Sequence, residues 1–112
     1  MKIVGAEIFQ MERGVAMEFF EVYKDVLPEY SAICQELSDG RALVLAIKGS
    51  SLAVSTLRNI CGPHDPSIAK NLRQHTLRAV FGKDKVKNGI HCTDLDEDGV
   101  MECEFFFNIL QK

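Results

Sequence analysis

The sequence is short of the features that would announce a function at once. Its four cysteines stand at 34, 61, 92 and 103 with no C-x-x-C pair and no regular spacing. That pattern argues against a disulfide framework and fits reduced thiols inside a cell. No apolar run approaches the roughly 20 residues that a membrane-spanning helix needs, and the opening Met1–Glu7 stretch lacks the apolar core of a signal peptide. A cytoplasmic location without a membrane anchor is therefore expected. The net charge of −3 excludes broad electrostatic attraction to nucleic acid or to an anionic membrane. Neither G-x-G-x-x-G nor a Walker pattern occurs, and Gly82 and Gly89 form no phosphate-cradling loop. Internal repeats and low-complexity segments are also missing.

What is present suits one globular domain over residues 1–112, with 46% hydrophobic residues and mean hydropathy near zero. The β-branched and aromatic run at Ile3, Val4, Ile8 and Phe9 predicts a strand over 2–11. Helical spacing of Met17, Phe20, Val22 and Tyr23 predicts a helix from Arg13 to about Val26, stopped by Pro28. A second helix follows from Glu29 through Leu37, ending at Ser38-Asp39-Gly40. The continuous apolar run Ala42–Ile47 reads as a central strand buried on both faces. Ser51 can cap a helix running to about Ile60. Gly62-Pro63 and Pro66 then open a long irregular stretch with short helical pieces near 67–72 and 76–81. Gly89–Cys92 is a short strand candidate. Thr93 or Asp94 is expected to cap a last helix that sets Phe105-Phe106-Phe107 against the core. The order β-α-α-β-α-loop-β-α predicts an α+β fold.

Chemistry concentrates in the second half. Lys70, Arg73, Arg78, Lys83, Lys85 and Lys87 make a local basic cluster, which reads either as a solvated face or as an anion-facing surface. His91 follows Asn88 at the end of a short apolar approach, and Glu102 lies a little way into the next helix. A carboxylate so placed can accept from one ring nitrogen and leave the other as a nucleophile. A packed, merely hydrogen-bonded histidine is the plainer alternative. Arg58 and Arg78 offer two planar guanidinium forks suited to phosphate, although spacing alone does not make them converge. Asp94-x-Asp96-x-Asp98-Gly99 imitates the start of an EF-hand calcium loop, but its twelfth position is Phe105 instead of a bidentate Glu. A zinc site from His91, Cys92 and Cys103 would lack a fourth ligand and any standard spacing.

The run Asn88-Gly-Ile-His91-Cys92-Thr93-Asp94 resembles the N-x-x-H-G-S-D signature of nucleoside diphosphate kinases, with Cys for Gly and Thr for Ser. Thr76-Leu77-Arg78 matches that family's T-[IL]-R segment, Arg58…Gly62…Pro66 its helix arginine with the following Gly and Pro, and Glu102 the Glu before its aromatic pair. The likeness covers the chain from Ile3 onward. It implies a ferredoxin-like fold, an antiparallel sheet with helices, lacking the family's first strand and helix, so that residues 1–112 form an N-terminally incomplete domain of this kind. It also implies a kinase that passes the γ-phosphate of a nucleoside triphosphate to a diphosphate by ping-pong through phosphorylated His91. Glu102 would orient the imidazole, Arg58 and Arg78 would hold the phosphates, and Asn88 the ribose and phosphate side. His64 stands where the family has a phosphate-contacting Thr. The family's base-stacking aromatic falls near Glu29, beside Tyr30. The family's strand lysine, in a K-P-[DH] motif, has no counterpart in these 112 residues. Nucleoside di- and triphosphates with Mg2+ carried by the nucleotide, homo-oligomerisation, and ciliary or centrosomal proteins are the partners that the resemblance implies. The alternative, from another class, is a non-catalytic scaffold module of cilia or centrosomes that keeps the fold.

Overall fold

Alternating side chains and β-branched residues draw the first segment into a strand, β1 (Lys2–Gln10), which pairs antiparallel with β2 (Arg41–Lys48). The computed structural model describes residues 1–110. The register runs from Lys2 opposite Lys48 to Gln10 opposite Arg41, with an irregularity between Ile3 and Gly5. Gly5 packs so closely that a Cβ there would meet Ala46 and the Phe107 ring at 3.3 Å. The α+β reading holds.

The described residues divide into two compact units, the first comprising 1–48 and the described residues from 101 onward, the second 49–100. In the first unit, α1 (Arg13–Phe19) and α2 (Tyr30–Ser38) are joined by a 3-10 turn at Glu21–Tyr23. The helix expected to reach Val26 therefore ends at Phe19, since Phe20 caps α1 and the Tyr23 N–H closes the turn back to the Phe20 carbonyl at 2.9 Å. Ala16, Phe20 and Cys34 are the buried centre, with Phe19, Tyr23, Tyr30, Ile33 and Leu37 packed around them. Tyr30 closes the α1–α2 pair by donating its hydroxyl to the Met17 carbonyl at 2.9 Å. The last segment, α6 (Gly99–Glu104) continuing as a π-helical turn over Phe105–Leu110, brings Phe106 against Phe9 and Phe19 with ring centroids 5.5 and 4.8 Å apart.

Two expectations are corrected here. β2 is not buried on both faces: Leu43 and Leu45 are 65% and 42% exposed, while Ala46 on the other face is 8% exposed. A sheet of two strands, packed by helices on one side, leaves alternate residues to solvent. Gly89–Cys92 is not a strand among the described residues, because the Ile90 carbonyl that a ladder would use accepts from Arg78 instead.

The second unit holds α3 (Ala53–Cys61), α4 (Pro66–Leu72), α5 (Leu77–Phe81) and a 3-10 turn at Asp96–Asp98. The cap expected from Ser51 is not made: the N-cap residue of α3 is Leu52, without a side-chain cap, and Ser50 Oγ accepts from the Leu52 N–H at 3.2 Å just before it. No helix of the described residues is long and apolar enough to cross a membrane.

Candidate functional site

The second unit builds its site on two well-made helix starts. Asp65 caps α4 by accepting from the Ser67 N–H at 3.0 Å, which holds its carboxylate below the usual range, and Pro66 takes the first helical position. Thr76 caps α5, accepting weakly from the Ala79 N–H at 3.4 Å while its hydroxyl donates to the Arg73 carbonyl at 2.8 Å. Between α3 and α4 the chain turns at Gly62, where φ is +86° and a Cβ would collide with the Thr76 side chain. Glycine is required there twice over, by conformation and by space. Lys70 ties α4 to the loop after α5 by donating to the Gly82 carbonyl at 2.8 Å.

These elements carry Arg78 into the interior, where it is only 8% exposed. Its Nη1 donates to the Gly62 carbonyl at 2.7 Å, and Nε and Nη2 both donate to the Ile90 carbonyl at 3.2 and 3.0 Å. A buried guanidinium needs such partners, since leaving its donors unmet would cost several kcal/mol on the order of a buried unpaired charge. The hydrogen bonds fix the backbone immediately before His91.

His91 follows on that fixed backbone. Its surface is open to solvent, yet protein crowds the ring. Desolvation by that crowding, with the positive field of Arg78 and then His64 and Arg58, pushes its pKa down from 6.5 to about 4. The open surface lets a ligand approach, while the crowding and the cations keep the ring neutral. Asn88 and His64 meet through Nδ2 and Nδ1 at 3.3 Å. Thus Arg58, His64, Arg78, Asn88 and His91 all lie in the second unit, and three of these five, Arg78, His64 and Arg58, act electrostatically on His91. Glu102 stands on α6 in the first unit.

Arg58, in the last turn of α3, is engaged. Its Nη1 donates to the Asp94 carboxylate at 2.5 Å and to the Asp94 carbonyl at 3.2 Å. Asp94 is therefore an arginine partner, and the cap that it or Thr93 was expected to give the last helix is replaced by a 3-10 turn whose N-cap residue, Leu95, makes no side-chain cap.

Two residues escaped the reading from sequence. Cys61, 1% exposed at the end of α3, and the half-buried Cys92 next to His91 influence each other's titration. The influence of Cys61 and the positive charges of Arg78 and Arg58 shift the Cys92 thiol down, while Cys92 and burial push the Cys61 thiol up. With 61 and 92 so far apart, only folding reveals the pair. Among the described residues no three His, Cys, Asp or Glu side chains gather as metal ligands.

The geometry can be set beside known proteins. The sequence model of "Nucleoside diphosphate kinase" matches residues 1–111. The chain is 48% identical over 111 residues to "Nucleoside diphosphate kinase homolog 7" of Rattus norvegicus, covering 99% of this chain but 28% of that protein. It is 30% identical over 110 residues to "Nucleoside diphosphate kinase" of Persephonella marina, covering 98% of this chain and 75% of that protein. A crystal structure of the Aquifex aeolicus nucleoside diphosphate kinase superposes with a TM-score of 0.89 at 30% identity, covering 97% of this chain and 76% of that one. The fold expected from the resemblance is thus the fold found, and the chain belongs to the nucleoside diphosphate kinase family.

Proposed function

We propose that this chain carries the phosphate-handling half of a nucleoside diphosphate kinase, with His91 as the phosphoryl acceptor. The observation that supports this reading most is the neutral imidazole of His91 in the field of Arg78, His64 and Arg58. A neutral ring nitrogen is a competent nucleophile, and neighbouring cations favour the charge that builds on the transferring phosphoryl group. His91 attacks the γ-phosphorus of a nucleoside triphosphate, the bond to the bridging oxygen breaks, and the diphosphate leaves. A second diphosphate then takes the phosphoryl group back from the ring.

The donor set suits phosphate oxygens: two guanidiniums and the Asn88 amide offer N–H groups, which bind anions and not cations. Mg2+ belongs with the nucleotide as part of the substrate, where it neutralises phosphate charge. His64, held to Asn88, would donate to phosphate where the family uses a hydroxyl. Glu102 as the group that orients His91 rests on the family resemblance, and Glu102→Gln tests it through the rate of His91 phosphorylation.

A second reading is favoured by the Arg58–Asp94 ion pair, which occupies one of the two phosphate-binding guanidiniums. On that reading the chain is a non-catalytic module of cilia or centrosomes that keeps the fold. The chain spans 28% of the rat homologue-7 protein, so that protein's whole activity, location and partners, homo-oligomerisation included, come here only as part of this proposal. Incubation with γ-labelled ATP and Mg2+ separates the two readings. Acid-labile label on His91 that is absent from His91→Ala supports the kinase. Equal background labelling of both proteins supports the scaffold.

A further inference from the structure

Residues 83–87 form a tight loop beside the candidate site, and its base is pinched. A Cβ on Gly82 would lie 2.9 Å from the Asn88 carbonyl oxygen, and one on Gly89 would lie 3.3 Å from the Phe81 Cβ, so the two ends of the loop meet. Lys70 holds the Gly82 end by donating to its carbonyl at 2.8 Å, and the Asn88 side chain meets His64 at 3.3 Å. Inside the loop the Lys83 N–H donates to the Lys87 carbonyl at 2.7 Å. Asp84 turns its carboxylate to the Val86 and Lys87 N–H groups, at 2.9 and 2.7 Å. Lys83, Lys85 and Lys87 are left exposed, and among the described residues none of their ammonium groups lies in an ion pair.

Three lysines and one aspartate give this loop a net charge of +2, in a chain whose own net charge is −3. The contrast matters because a nucleotide is an anion. A chain of net negative charge repels it at long range, and only a local field of the opposite sign reverses that. Three ammonium groups held close together without carboxylate partners also repel one another, an arrangement that stability alone does not favour. The field reaches the edge of the site: Asp65, beside His64, has its pKa lowered first by its hydrogen bonds with Ser67 and further by the charge of Lys85. We propose that Lys83, Lys85 and Lys87 steer nucleoside di- and triphosphates to the site, drawing their phosphates toward Arg78, Asn88 and His91 before contact is made. The lysines set the rate of association, and the groups of the site set the strength of the bound contacts. This inference rests on the phosphate-handling reading and goes beyond it by assigning residues to the capture of substrate.

Stopped-flow binding of the fluorescent nucleotide mant-ADP to the whole chain tests this, since it reads association and dissociation separately. In the wild-type chain association should slow as salt rises from about 20 mM to about 0.5 M, because screening removes the attraction. A chain acting only through its net charge of −3 would show the opposite slope, since salt would screen a repulsion. A rate that rises with salt, or ignores it, therefore overturns the proposal without any variant. Lys83→Gln, Lys85→Gln and Lys87→Gln together should cut the association rate about tenfold at low salt, leave dissociation within about twofold, and lose most of that difference at high salt. Lys83→Arg, Lys85→Arg and Lys87→Arg together should keep the wild-type rate, because steering needs the charge and no particular hydrogen-bond geometry. A loss that falls on dissociation instead would make the lysines bound contacts and overturn the proposal. So would an equal slowing by Lys2→Gln, Arg41→Gln and Lys48→Gln on β1 and β2, which would assign the effect to net charge alone. If mant-ADP does not bind at any salt, with or without Mg2+, the phosphate-handling reading falls and takes this proposal with it. Binding whose rate ignores both salt and the loop overturns this proposal alone.

Discussion

Arg78 donates from Nη1 to the Gly62 carbonyl across 2.7 Å, so the turn that ends α3 is fastened to a helix sixteen residues further on. The same guanidinium holds the Ile90 carbonyl, and thereby the backbone leading into His91. One buried side chain thus serves the fold and the candidate site together.

Arg78→Lys keeps the charge and loses the fork. A lysine ammonium cannot reach both carbonyls with the planar geometry that the guanidinium supplies. At least one buried carbonyl loses its donor, at about 2 kcal/mol for a hydrogen bond to a charged group. Urea denaturation should show that loss as a lower midpoint with unchanged slope. Labelling of His91 by ATP should fall with it, since the backbone before the histidine is no longer held.

Gly62→Ala should be more damaging than a typical glycine replacement. The residue has φ +86°, and the added Cβ meets three atoms of the Thr76 side chain. Strain of about 1 kcal/mol for the conformation adds to the clash, and Thr76 also caps α5. A total loss of about 2–3 kcal/mol is expected in thermal or chemical denaturation. Thr76→Ala in the same chain should not restore stability, because the Thr76 Cβ is among the atoms met.

Local pattern carried much of the fold. Ile3, Val4, Ile8 and Phe9 marked β1 to within a residue, and the short helical pieces read near 67–72 and 76–81 fall within a residue of α4 and α5, because such signals are written in neighbouring residues. What the sequence could not carry was tertiary. The apolar run of β2 did not say that Leu43 would face solvent, since exposure depends on what packs over the sheet. The extended Gly89–Cys92 segment looked like a strand, but Arg78 claims its carbonyl. Arg58 could be singled out as a candidate phosphate binder, whereas its pairing with Asp94, thirty-six residues away, could not be foreseen. That Cys61 and Cys92 influence each other's titration obeys no spacing rule and had no local signal at all.

Asp94→Asn tests whether Arg58 is held in reserve. The pair is partly exposed, with side chains 48% and 39% accessible, so its contribution to stability is expected to be below about 1 kcal/mol. Freed from the carboxylate, Arg58 can turn to an arriving phosphate without first breaking an ion pair. Removing a cost of up to about 1 kcal/mol tightens nucleotide binding by up to about fivefold. Calorimetric titration with Mg-ADP should show this gain. Affinity that stays level or weakens would mean that Arg58 serves only to anchor Asp94.

Phe106 links the last helical turn to both β1 and α1, with its ring 5.5 Å from Phe9 and 4.8 Å from Phe19 and only 6% of its surface exposed. Phe106→Ala opens a cavity lined by aromatic rings that cannot easily collapse, and should cost about 3–5 kcal/mol. Phe105→Ala removes a less buried ring of the same cluster and should cost less. Denaturant titration of the two variants gives the order directly.

The histidine makes the sharpest prediction about pH. Its pKa in the folded chain, about 4, lies below the unfolded value of 6.5, because burial and the charges of Arg78, His64 and Arg58 oppose protonation. Between those values the unfolded chain binds a proton that the folded chain refuses. Stability is therefore highest above pH 6.5 as far as this group is concerned, declines as pH falls from 6.5 toward 4, and levels off below. The nucleophile behaves differently over the same range. His91 stays neutral until pH approaches 4, so the rate of its phosphorylation by ATP should hold nearly level from pH 8 to about 5 and then drop. A rate that halves near pH 6.5 would show an ordinary, well-solvated imidazole. His91→Asn should flatten the stability decline between pH 6.5 and 4 while abolishing labelling, which separates the titration of this ring from that of any carboxylate nearby.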